Sequence, residues 1–213
     1  ALPPLMMELL PSNLILPAFF SPTLLVLLFF GYSLPVLVIR EISVRWKLGL
    51  KGMLLLGVAY GIINEGLGAK TLLSSSVPVP SFDNFGLFLG INFPFSAYIL
   101  VIHSLASVLI PILIVRYYWP MANNEPFLGK AVLIVAAALS AIVASGIFFS
   151  SMPIAVQPIY YLVFLFCIIV LALLAKSFSQ GNGLETHACG FGPLFLGVLF
   201  LNVYDIALDL FAG

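Results

Sequence analysis

Charge is what this sequence has least of. Among 213 residues, eight are Lys or Arg and eight are Asp or Glu, 8% in all, where a soluble domain carries about a quarter. Hydrophobic residues make up 62% and mean hydropathy is +1.21. Too few polar groups remain to coat a water-facing surface, so a soluble domain is excluded. The formal net charge of zero offers no basic face to nucleic acid. Cysteine is nearly absent: Cys167 lies in an apolar run and Cys189 in a loop, which argues against a disulfide. No Asn-x-Ser/Thr sequon occurs, and Ala1-Leu-Pro-Pro lacks the basic n-region of a signal peptide. No internal repeat of the transporter kind is present either.

What the chain does have is long apolar runs. About six stretches approach the ~20 residues that cross ~30 Å of hydrocarbon as helix. They predict an all-α polytopic bundle forming one transmembrane domain over 1–213, with about six spans at 21–39, 52–72, 95–115, 131–150, 158–175 and 191–212. Residues 1–20, broken by Pro3, Pro4, Pro11 and Pro17, read as an interfacial or partly inserted segment whose only charge is Glu8. A basic connector is expected at Arg40–Lys51, and a pliable Ser/Pro/Phe-rich connection with Gly86 and Gly90 over 74–94. Span five, with no ionisable group beyond Cys167, is expected to face lipid.

The basic residues give an orientation. Arg40, Arg45, Lys47, Lys51, Arg116, Lys130 and Lys176 flank three connections on one side, and Lys70 alone falls on the other. By the positive-inside bias those three are cytoplasmic and both termini lie outside. The expected residence is the plasma membrane.

The rare polar residues within the spans are then informative, because an ionisable group in hydrocarbon is costly unless partnered or functional. Gly57, Gly61, Glu65 and Ala69 recur at steps of four and share a helical face. Such a stripe lets helices approach closely, and the small faces Ala137/Ala141/Ser145 and Ala136/Ser140/Ala144 make span four its expected partner. Counting 1.5 Å per residue, Glu65 lies roughly 21 Å past Lys51, His103 about 14 Å below Pro94, and Asp205 about 21 Å past Phe191. All three fall in the outer half, with Asn202 a turn deeper. Asn202, Asp205 and Asp209 share one face, and His103 and Ser107 are spaced i, i+4.

Carboxylate, imidazole and carboxylate together can bind a divalent metal such as zinc, activate a water or relay protons. Glu65, His103, Asp205 and Asn202 are therefore the candidate catalytic residues, with Glu65, His103 and Asp205 as metal ligands. Plainer roles stand beside these. Glu65 could bond Ser140 or Ser145, or pair with Lys70. His103 could cap a carbonyl, Asn64 could join helices, and Arg40-Glu41 could be a simple interfacial pair. Glu185-Thr-His187-Ala-Cys189 has ligand-type residues in a Gly-rich loop, a weak metal signal.

Asn64-Glu65 followed by Lys70, then His103 on the next span, resembles the CAAX-protease and bacteriocin-processing (CPBP) family of intramembrane peptidases. The resemblance implies a multi-span, metal- or Glu-dependent peptidase built on Glu-Glu-x-x-x-Arg, Phe-x-x-x-His and His-x-x-x-Asn/Asp. Here Asn64 replaces the first Glu, Lys70 stands one position late, Ile99 replaces the Phe, and Asn202-Val-Tyr-Asp205 lacks the His. Tyr60-Gly-Ile-Ile-Asn-Glu-Gly66 also resembles a segment of uncharacterised six-span prokaryotic membrane proteins, a likeness that implies no activity.

Three functions follow as expectations. The first is an intramembrane hydrolase acting on a membrane-embedded peptide or lipid, with the 74–94 connection as a lid. The second is an accessory subunit bound to other membrane subunits. The third is a proton-coupled carrier using Glu65 and Asp205. All three place the chain among membrane lipids.

Overall fold

The computed structural model describes residues 2–9, 15–73, 86–119, 125–150 and 157–179. The expected sixth span, 191–212, and the Glu185–Cys189 loop lie outside the described residues. Within them the chain is an all-α polytopic membrane protein, with five helices long and apolar enough to cross a bilayer. Span one is Pro22–Arg45, span two Leu50–Gly68, span three Phe93–Tyr118, span four Lys130–Ser150 and span five Pro158–Ser177.

Spans one and three contain 24 and 26 residues, about 36 and 39 Å of helix, longer than the ~30 Å hydrocarbon core. The expected connector at Arg40–Lys51 is therefore mostly helix, and only residues 46–49 separate spans one and two. Pairing makes this tolerable. Arg40 and Glu41 are both buried and form an ion pair. The Phe127 and Leu128 N–H groups donate to Glu41 at 3.0 and 3.2 Å. Arg40 donates to the Glu125 carbonyl at 2.9 Å and lies 3.6 Å over the Phe127 ring. Arg45 donates to the Leu128 carbonyl. Far from a simple interfacial pair, Arg40-Glu41 clamps the connection between spans three and four onto the end of span one.

Span two is the hub. Its Gly57 stripe does not meet span four, as its small faces suggest, but span three. A Cβ on Gly57 would lie 2.7 Å from Ser104 Cα, and one on Gly61 would lie 2.8 Å from Leu100 Cδ2 and 3.2 Å from His103 Cβ. Ser104 donates to the Leu54 carbonyl at 2.9 Å across this seam. Span four approaches near Gly68, through Ile147 and Ala144. The small residues of spans two and four are equally compatible with close packing; the extra hydrogen bond and the fit around His103 lie on span three.

Gly52 faces Ala175 and Gly66 faces Phe164, so span five runs antiparallel to span two and packs on it. Its other side, with Leu162, Phe166, Ile169 and Leu173, is exposed, so it faces lipid on one side only. These alternating directions bring the seven basic residues Arg40, Arg45, Lys47, Lys51, Arg116, Lys130 and Lys176 to one end. Residues 86–92 are no loose connection: β1, Leu87–Phe88, pairs antiparallel with β2, Ile91–Asn92. Gly86 and Gly90 hold φ of +66° and +74°, the turn geometry only glycine adopts freely. Residues 74–85 lie outside the described residues. Residues 2–9 of the N-terminal segment pack against the bundle, with Met6 and Met7 on Ala106 and Ile110 of span three.

Candidate functional site

Four stretches of the described helices are wound as π-helix: Leu5–Leu9, Phe29–Ser33, Ile62–Gly68 and His103–Leu109. Such turns are rare and often mark functional sites. Two have an evident local cause. A proline removes its own N–H and crowds the carbonyl four residues back. Pro35 so releases the carbonyl of Gly31, and Tyr60 donates to it at 2.7 Å. Pro111 stands in the same relation to Ser107.

Each π turn delivers a polar side chain to one place. Glu65 and His103 meet, with Glu65 Oε1 2.9 Å from His103 Nε2. The other ring nitrogen, Nδ1, is 3.2 Å from Ser107 Oγ. With Glu65 ionised, Nε2–H donates to it and Nδ1 accepts the Ser107 proton. Thr71 donates to the second Glu65 oxygen, carried there by a chain reversal at Lys70, whose φ is +63°. Asn64 donates to Glu65 Oε1 at 3.4 Å. Lys70 is itself buried.

Two tyrosines fix the imidazole. Tyr32 stacks on it, ring centroids 6.2 Å apart and planes 9° from parallel, while Tyr60 meets it edge-on at 5.5 Å. Tyr32 donates its hydroxyl to Glu8. Burial raises the Glu8 carboxyl above its ordinary 4.5, and the charge of Glu65 adds to that rise, while the Tyr32 hydroxyl and His103 pull it down. The His103 side chain is 1% exposed and that of Glu65 13%.

The structure thus brings together two of the four candidate residues, Glu65 and His103. Asn202 and Asp205 lie outside the described residues, as does Asp209. Ser140 and Ser145 spend their hydroxyls on Ala136 and Ala141 carbonyls of their own helix, so neither is the partner of Glu65. Glu8, Tyr32 and Tyr60 were not among the expected site residues. The available signals were the single charge of the first twenty residues and the prolines set four residues beyond Gly31 and Ser107. Among the described residues no three of His, Cys, Asp or Glu gather as metal ligands. A catalytic zinc uses three protein ligands; Glu65 and His103 make two, and the third expected ligand, Asp205, lies outside the described residues.

A family model described as an uncharacterized membrane protein family matches residues 1–208. The chain belongs to that family. The family model agrees with the likeness carried by Tyr60–Gly66 as far as an uncharacterized membrane protein; it does not single out the CPBP peptidases. No curated protein and no solved structure matches the chain. Membership in the family fits the five apolar helices and leaves the chemistry to the site.

Proposed function

We propose that this member of the family is an intramembrane hydrolase of the plasma membrane, its basic end toward the cytoplasm, in which Glu65 is the general base and His103 its proton partner. The observation that carries this is the 2.9 Å contact between Glu65 and His103, held by two π turns and walled by Tyr32 and Tyr60. A carboxylate within the bilayer persists only when partnered; here the partner is an imidazole, whose two ring nitrogens can donate and accept a proton. Glu65 takes a proton from water, the hydroxide oxygen bonds to the substrate carbonyl carbon, and the bond to the leaving group breaks as that group is protonated. General acid–base catalysis of this kind supplies about 10²–10⁴-fold. Ser107 could attack in place of water, but it is fully buried, so its assigned role is to orient His103.

The test uses the full chain in bilayers made from a total membrane lipid and peptide extract, in ¹⁸O-labelled water. Products carrying ¹⁸O in a new carboxylate are expected with the native protein, falling by about 100-fold or more in Glu65→Gln. The same products from both proteins, or none from the native one, overturn the reading.

A further inference from the structure

Beside the His103 seam, and sharing Tyr60 with it, lies a cavity of about 290 Å³ lined by spans one, two, four and five. Leu56, Tyr60 and Asn64 line it along span two. The eight residue steps from Leu56 to Asn64 correspond to about 12 Å of helix, so the cavity is a slot along the helices. On span four it is floored by the small residues Ala137, Ala141 and Ala144. Ala137 and Ala141 are also exposed, next to Ile134 and Ile142, which stand 69% and 65% exposed on the lipid-facing surface. Among the described residues the slot is therefore open on its span-four side.

Its lining can satisfy almost no polar ligand. The Ser140 hydroxyl donates to Ala136 and that of Tyr60 to Gly31. Asn64 remains, at the end of the slot and 3.4 Å from Glu65 Oε1. A polar molecule would lose its hydrogen bonds there, a cost hydrocarbon does not incur. Asn64 stands four residues before the end of span two at Gly68, about 6 Å below it. That is where the carbonyl of an acyl chain hanging from the outer headgroups belongs.

We propose that this slot holds one acyl chain of a bilayer lipid, methyl end toward Leu56 and carbonyl end at Asn64. The inference rests on the hydrolase reading in one respect, that the bound lipid is the substrate and its acyl ester the bond cleaved. Water oxygen bonds to the acyl carbon, its proton passes to Glu65, the bond from that carbon to the alcohol oxygen breaks, and the alcohol leaves with the proton. The products are a fatty acid and the deacylated lipid.

The test places the full chain in phosphatidylcholine vesicles doped with phosphatidylcholine bearing a diazirine near its acyl terminus. After irradiation, label is mapped by peptide mass spectrometry. Label is expected on peptides carrying Leu56 and Ala141, enriched at least fivefold over the lipid-facing Phe166 peptide. It should fall at least fivefold in Ala141→Phe and in the milder Ala137→Leu, and stay unchanged in Glu65→Gln. Label no higher than at Phe166, or unchanged in both filled variants, overturns the inference. So does a disulfide trapped between cysteines placed at 141 and 201, which would put the chain's own segment in the slot. Slot labelling without hydrolysis removes the catalytic reading and leaves chain binding standing; hydrolysis without slot labelling does the reverse.

Discussion

Replacing Gly57 with Ala tests the packing that holds the site. The new methyl would lie 2.7 Å from Ser104 Cα and 2.9 Å from Ser104 Oγ, where carbon atoms rest at about 3.5–4.0 Å. The obstacle is backbone, so it cannot swing aside, and spans two and three must part by about 1 Å. Overpacking of this size costs about 1–3 kcal/mol, against about 1 kcal/mol gained by Ala over Gly in a helix. The same parting stretches the Glu65–His103 contact from 2.9 Å to about 4 Å, past any hydrogen bond. Gly146 is the control, since a Cβ there meets nothing described within 4 Å. Reversible unfolding in mixed micelles should show Gly57→Ala less stable by up to about 2 kcal/mol and Gly146→Ala unchanged or more stable by up to about 1 kcal/mol. If both variants shift stability in the same direction by the same amount, the close seam between spans two and three is wrong.

Other outcomes follow from single contacts. Glu41→Ala removes the carboxylate paired with the buried Arg40 guanidinium and should cost about 3–5 kcal/mol in the same unfolding assay; a loss under about 1 kcal/mol would show that the clamp carries little. Ser107→Ala should lower turnover by no more than about tenfold, as expected for an orienting hydroxyl; a loss equal to that of Glu65→Gln would make Ser107 the nucleophile. Glu8 has its folded pKa raised above the ordinary 4.5, so its protonated form favours the fold. That stability is complete below the unfolded value and is lost as pH rises through the folded one. Glu8→Gln should flatten this decline, and an identical pH profile in both proteins would contradict the burial of Glu8.

Much of the fold was legible because hydrocarbon imposes a blunt rule: every backbone group must be paired within its own segment, and side chains must be apolar. Five spans follow from that rule, with ends displaced by a few residues. The displacement at Arg40–Arg45 arises because opposite charges one residue apart can cancel and enter the bundle, which a hydropathy window does not register. The Glu65–His103 meeting was legible from depth alone. The partner of the Gly57 stripe was not, since small residues permit close approach without naming the neighbour. Glu8 was hidden more deeply: its segment is short and broken by proline, and tertiary contacts of Met6 and Met7 alone bring it inward. The π turns also escape a reading at steps of three and four, although Pro35 and Pro111 hint at two of them.

The central claim is that these turns press Glu65 against His103 within the bilayer. Solid-state NMR on the full chain in lipid, with ¹⁵N in histidine and ¹³C in glutamate, measures it directly as a dipolar coupling between His103 Nε2 and Glu65 Cδ. An N···O contact of 2.9 Å predicts a coupling for a separation below about 4 Å, abolished in Glu65→Gln made with unlabelled glutamine. No detectable coupling in the native protein would contradict the account.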